Sequence, residues 1–276
     1  MLRTGFRLSD PPDTVEPVFD KQATVAELRK RLADTAPPAF DPPVRATRGP
    51  GPAAPAVLAV PSPLDELLPQ GGLPRGGIVS VQPDESADGS PAPGGLTTLL
   101  FTLLAGPVKP WSALLGFGDL GFAAAAELGV DLERTVLVPN PGGDVAHIVS
   151  VLLDGLDVIA VHCPGGPFGP PARQRVLASR LRQRGAVLLA VGPWPGADLT
   201  LSVSTVGWSG LGVGHGRLRD RELLVRLAGR RIGGRVPEVR MLLTAAPDRV
   251  LVQPGLAPVE RLAEVERLDR VVSVAG

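Results

Sequence analysis

Gly94-Gly95-Leu96-Thr97-Thr98 is the stretch whose residue types and spacing come nearest to chemistry. It lies between two apolar runs, Ile78-Val79-Ser80-Val81 and Leu96 to Leu104. The first reads as a short buried strand and the second as a helix, with a loop rich in Gly, Pro, Asp and Ser between them. Strand, glycine loop and helix in that order frame a phosphate-binding turn. In a working turn, backbone N–H groups and a lysine ammonium hold the phosphates, and a hydroxyl meets the magnesium ion. Against the spacing G-x-x-x-x-G-K-[ST], Ser90 stands at the first glycine and Leu96 at the lysine, and Pro91 and Pro93 fall inside the loop. Leucine offers no charge and proline no N–H, so the frame is present without its chemistry. Thr97 and Thr98 keep the hydroxyls, yet they equally suit the first turn of an ordinary helix. A plain strand-to-helix connection is the alternative.

Other residues could act. His162-Cys163 suggests a metal pair, but neighbouring strand residues point to opposite faces and no further ligands lie nearby. A strand-end histidine beside a buried thiol is the plainer expectation, and no metal site is expected. Arg217, Arg219 and Arg221 alternate as a strand would and so share a face, either solvated or touching DNA or an acidic partner. Trp194, between Pro193 and Pro195, is either an exposed anchor or a rigid buried corner. Val25, Leu28 and Leu32 share one face of a short helix opened by the capping box Thr24-Val25-Ala26-Glu27, and Val259, Leu262, Val265 and Leu268 form a similar stripe. Each stripe packs on its own core or docks into a partner.

The chain that must position these residues has 276 residues, 28 basic and 28 acidic side chains, and one cysteine. Zero net charge gives no global field for nucleic acid, though a local patch remains compatible with it. One cysteine excludes an internal disulfide and any multi-cysteine metal site, and points to a reducing cytoplasm. No apolar run reaches transmembrane length and the N-terminus lacks a secretory signal, so no membrane role is expected.

Residues 1–35 read as a polar tail and a helix, and residues 36–55 as a Pro-rich linker. The core is expected over residues 56–245, followed by a C-terminal helix and tail over 246–276. Apolar strands at Val57 to Val60, Ile78 to Val81, Ala113 to Phe117, Val136 to Val138, Val158 to Val161 and Ala186 to Val191 alternate with helical patterns. Those patterns fall at Thr97 to Leu104, Leu120 to Leu128, Val145 to Leu153 and Pro171 to Arg184. The alternation predicts an α/β fold with a mainly parallel sheet covered on both faces. From Asp198 on, strand-like runs without long helices predict an antiparallel extension.

Taken in register, Leu64-Asp65-Glu66-Leu67-Leu68 with Gly71-Gly72-Leu73-Pro74-Arg75-Gly76-Gly77-Ile78-Val79, then Leu128 to Val138, then Asp157 to Val161, resemble the RecA-like family over residues 60–210. The resemblance implies a RecA-like core and places Leu96, Phe117 and His162 where a RecA-type ATPase carries its phosphate lysine, water-polarising glutamate and magnesium aspartate. With none of the three, the implied protein is ATPase-dead, and its degenerate site comprises Ser90, Gly94, Gly95, Leu96, Thr97, Thr98, Phe117 and His162. No cofactor is expected. The connections matching the DNA-binding loops, Pro164 to Pro171 and Gly192 to Ala197, are short and carry no basic residue, so direct DNA binding is expected to be weak or absent.

Within that group the chain is most similar to ImuA-type proteins, the actinobacterial ImuA′ branch above all. The run from Arg182 to Leu199 and that from Trp208 to Arg219 carry this likeness. It implies a non-catalytic accessory protein of the damage-induced mutasome, cytoplasmic and brought to the nucleoid by its partners. The implied partners are an ImuB-like inactive Y-family polymerase homologue, an error-prone replicative-type polymerase subunit and RecA. Two other expectations stay open. One is a SulA-like inhibitor of cell division, also RecA-like without ATPase residues; the other is an atypical nucleotide-binding protein that borrows a cation, for which Arg75 is the nearest candidate.

Overall fold

The computed structural model describes residues 56–85, 94–211, 216–229, 232 and 236–255. The predicted N-terminal helix with Val25, Leu28 and Leu32, the linker, Ser90, and the stripe of Val259, Leu262, Val265 and Leu268 lie outside these residues.

The fold is α/β. In chain order its strands are β1 (Val57–Ala59), β2 (Gly72–Pro74), β3 (Ile78–Pro83), β4 (Ser112–Leu115), β5 (Thr135–Val138), β6 (Val158–His162), β7 (Val187–Val191), β8 (Leu199–Trp208), β9 (Asp220–Gly229), β10 (Glu238–Ala245) and β11 (Val250–Pro254). Its helices are α1 (Leu64–Leu67), α2 (Leu96–Leu104), α3 (Phe122–Glu127), α4 (Val145–Leu152) and α5 (Pro171–Arg184). The main sheet has the order β11-β10-β9-β8-β3-β7-β6-β4-β5. All pairs from β8 to β5 are parallel, and those from β8 out to β11 are antiparallel. β1 and β2 form a separate antiparallel pair.

The central parallel strands β6 and β7 read as nearly unbroken apolar runs because both of their faces are covered. Val79, Val81, Leu114, Val158 and Ala160 join a core with α1, α2 and α3, whereas Ile78, Ala113, Leu115, Ile159 and Val161 join a second core with α4 and α5. The alternation is the two-residue period of a strand made visible. α2 buries six residues, Leu99 to Leu104. A fully buried leucine contributes roughly 1.5–3 kcal/mol, so this helix is fixed by its packing more than by its caps. α5 is the reverse case. Pro171 suits a first helical turn, Gly185 closes the helix at φ 64°, and only Leu177 and Leu181 are buried, with Ala178 packed beside them.

The predicted elements fall on the observed ones with end shifts of a few residues, and α5 has the predicted bounds. Three pieces carry no usable period: α1, the three-residue β2 with its glycine and proline, and β11. Because β11 pairs with β10 from Met241↔Pro254 to Ala245↔Val250, the sheet runs on past the boundary expected at residue 245.

Candidate functional site

α2 is launched by the glycine turn. Gly94 and Gly95 have φ of 76° and 95°, the left-handed region in which a side chain is strained. A Cβ on Gly95 would lie 3.0 Å from Val203 Cγ2, and one on Gly94 would lie 2.7 Å from Arg221 Nη2. Leu99 N–H donates to Gly95 O at 2.8 Å, the first bond of the helix.

A cleft of about 310 Å³ opens between this helix start and the carboxyl ends of β4, β6 and β7. Leu96, Thr97 and Leu100 line it from α2, Phe117, Gly118, Asp119 and Leu120 from the turn after β4, His162 from the end of β6 and Val191 from the end of β7. The crevice outside the carboxyl ends of parallel strands, where their order reverses, is where open α/β sheets bind ligands. Here the chain leaves β3 for β4 on one side and later returns to β8 on the other. The residues singled out in sequence therefore do meet in space: Leu96, Thr97, Phe117 and His162 share one cleft, with Gly94, Gly95 and Thr98 beside it.

The lining is mostly apolar. Phe117 is buried and lies against the exposed His162, with ring centroids 5.5 Å apart and planes tilted by 34°. Asp119 is exposed, and Asp119 and His162 are the titratable groups among the lining residues. No lysine or arginine lines the cleft among the described residues. A triphosphate would find no counter-charge here, whereas an apolar group would find Leu96, Phe117 and Val191.

The nearest cation to the glycine turn is one that sequence reasoning put elsewhere. Arg221 Nη2 donates to Thr205 Oγ1 at 2.7 Å and Nη1 to Thr98 Oγ1 at 3.3 Å, while the guanidinium lies 4.8 Å from the Trp208 ring centroid. It forms no ion pair with a described residue, and burial lowers its pKa below the usual arginine range. The arginine thus ties α2 to β8 and β9 from beside the cleft. The expected shared face of Arg217, Arg219 and Arg221 needs correction: β9 begins at Asp220, so Arg221 alone stands in the strand and Arg217 and Arg219 are exposed before it.

Arg75, the cation nominated from sequence, sits at the opposite ends of the strands. Its Nη1 pairs with Asp157 Oδ1 at 3.2 Å and donates to Gly185 O at 3.1 Å, just before β6 and β7 begin. Cys163 turns into the second core, where burial pushes its thiol up to about 11, while His162 faces the cleft. The described residues contain no group of three or more His, Cys, Asp or Glu placed to hold a metal ion. Trp194 is the buried corner, edge-on to Phe168 with centroids 5.2 Å apart. No described helix is long and apolar enough to cross a membrane. Asp119 and the contacts of Arg221 escaped sequence reasoning. Asp119 lies two residues past Phe117 with no motif to mark it, and Arg221 could be placed only by knowing that it pairs with Trp208.

Two comparisons bear on this cleft. A family model described as the MT3502 N-terminal domain matches residues 66–196. The chain is also 34% identical over 117 residues to a Mycobacterium tuberculosis protein described as "Uncharacterized protein Rv3395c", the aligned stretch covering 41% of this chain and 57% of that protein. The chain thus matches a little over half the length of that relative. Every residue lining the cleft falls inside the stretch similar to the MT3502 N-terminal domain, while β8 to β11 and Arg221 lie beyond it.

Proposed function

We propose that the protein is a non-catalytic, RecA-like accessory factor of the damage-induced mutasome, supporting error-prone translesion synthesis by binding other proteins. The observation that carries this is the cleft itself. It lies at the carboxyl ends of the strands and the start of α2, the position of a nucleotide site in open α/β sheets, and on the RecA-like resemblance Leu96, Phe117 and His162 take the places of the ATPase lysine, glutamate and aspartate. Phosphoryl transfer depends almost wholly on positioned charge, and these side chains supply no phosphate cation and no metal carboxylate. The fold is kept and the hydrolysis is given up, which suits an adaptor. Its partners in this role are an ImuB-like inactive polymerase homologue and an error-prone replicative-type polymerase subunit. The absence of basic residues from Pro164 to Pro171 and from Gly192 to Ala197 favours protein contacts over direct contacts with DNA.

The test is the frequency of damage-induced mutation in a strain lacking the gene, with cell length recorded in the same cultures. Loss of induced mutation with normal filamentation is expected. Unchanged mutation with altered filamentation would overturn the adaptor role in favour of SulA-like division control.

A further inference from the structure

The far end of the β8–β9 ladder carries side chains that the cleft does not use. β3 accompanies β8 only as far as Val203, and β10 pairs with β9 as far as Asp220, with one further bond from Ala245 N–H to Arg219 O at 3.1 Å. The two strands run on together past these ladder pairs. Ser209 N–H donates to Asp220 O and Arg219 N–H to Ser209 O, each at 3.0 Å, and a bridge joins Leu211 to Gly216. The register slips between Thr205 and Gly207, and Arg219 and Asp220 together face Ser209. Such bulges add twist and re-aim side chains.

Along this arm Val206 is 39%, Trp208 55%, Leu211 65% and Leu218 48% exposed. No other described stretch of similar length holds as many large apolar side chains in solvent. Arg221 covers part of the Trp208 ring and steadies it while more than half of that residue stays in water. Arg217 and Arg219 are exposed and make no ion pair with a described residue. Trp and Arg are residue types enriched where interfaces gain most of their energy, and a cluster of exposed apolar side chains marks an interaction site.

We propose that this arm docks an extended segment of a protein partner in which acidic side chains are interspersed with apolar ones. Carboxylates complement Arg217 and Arg219, and apolar side chains cover Trp208, Leu211 and Leu218. A single-stranded nucleic acid fits less well. Trp208 could stack on a base, but Leu211 and Leu218 offer nothing to a sugar-phosphate chain, and two exposed arginines supply few of the phosphate contacts on which such affinity depends. The proposal deepens the adaptor role and rests on it for its biological sense.

The test uses the full chain and three fluorescein-labelled probes: a peptide alternating Glu with Leu and Phe, the same peptide with Lys for Glu, and an oligothymidylate. Anisotropy should rise with the Glu peptide alone. Trp208→Ala and the pair Arg217→Glu with Arg219→Glu should each weaken that binding at least about tenfold while the circular dichroism spectrum stays unchanged, the melting curve staying put for the arginine pair and shifting for Trp208→Ala only by the loss of its stack with Arg221. Absence of binding, equal binding of both peptides, preference for the oligonucleotide, or unchanged affinity in these variants would overturn the proposal. Reintroducing the arm variants into the deletion strain separates the two ideas. If the deletion leaves induced mutation unchanged while the peptide result holds, the adaptor role fails and the docking surface stands. If induced mutation depends on the protein but the peptide does not bind, the surface fails and the role stands.

Discussion

At the amino ends of the parallel strands, Arg75 pairs with Asp157, donates to Gly185 O, and shares Asp157 with the Trp111 N–H, which reaches Oδ2 at 3.2 Å. At the carboxyl ends of the same sheet, Leu96, Phe117 and His162 line a cleft into which no described lysine or arginine turns. Arg221 stands beside that cleft, yet its hydrogen bonds go to Thr98 and Thr205. Positive charge fastens connections to the sheet at the amino ends, whereas among the described residues none lines the cleft at the carboxyl ends. The two ends of the same parallel strands thus differ: an ion pair fastens one, and a mostly apolar cleft opens at the other.

Substitutions at three positions probe this contrast. Asp157→Ala should have the largest effect, because it leaves the Arg75 guanidinium, only 15% exposed, without its carboxylate and removes the partner of the Trp111 N–H. Loss of one member of a buried pair costs about 3–5 kcal/mol, read as a fall in the urea midpoint. A change below about 1 kcal/mol would mean that the amino-end network is ornamental. Arg221→Ala should cost less, about 1–2 kcal/mol, by deleting two hydrogen bonds and the stack on Trp208. Arg221→Lys should lose nearly as much, since an ammonium cannot reproduce the planar fork, and full rescue by lysine would show that only the charge matters. The smallest effect is expected from Leu96→Lys. A cation alone restores neither the glutamate nor the aspartate position, so ATP should produce no rise in Tm and no hydrolysis. An ATP-dependent rise would show that the carboxyl end lacks one residue rather than a whole site.

Much of the parallel half was legible because its signals are local. Val158 to Val161 and Val187 to Val191 are apolar at every position, which only a sheet covered on both faces requires, and α5 is bracketed by Pro171 and Gly185. Leu96, Phe117 and His162 were singled out by the RecA-like resemblance, and the strand ends bring them to one cleft. The antiparallel half was less legible because its decisive facts are pairings between distant residues. Alternation suggested that Arg217, Arg219 and Arg221 share a face, but the facing of Arg219 and Asp220 to one residue, Ser209, breaks the alternation where the strand begins. Arg221 meets Thr98 across 123 positions of chain, and no local period encodes such a contact. β11 was hidden because five residues ending in Gln253 and Pro254 look like a loop until a neighbouring strand is there to receive them.

The single cysteine of the chain is Cys163, packed in the second core with its thiol held in the protonated form up to about pH 11. The thiolate is the reactive species, so at neutral pH this side chain is nearly silent toward maleimides and disulfide reagents. The native protein is therefore a clean background for site-directed labelling. A cysteine placed at Leu211 would be the only fast-reacting thiol, and a fluorophore or spin label attached there would report on the β8–β9 arm alone.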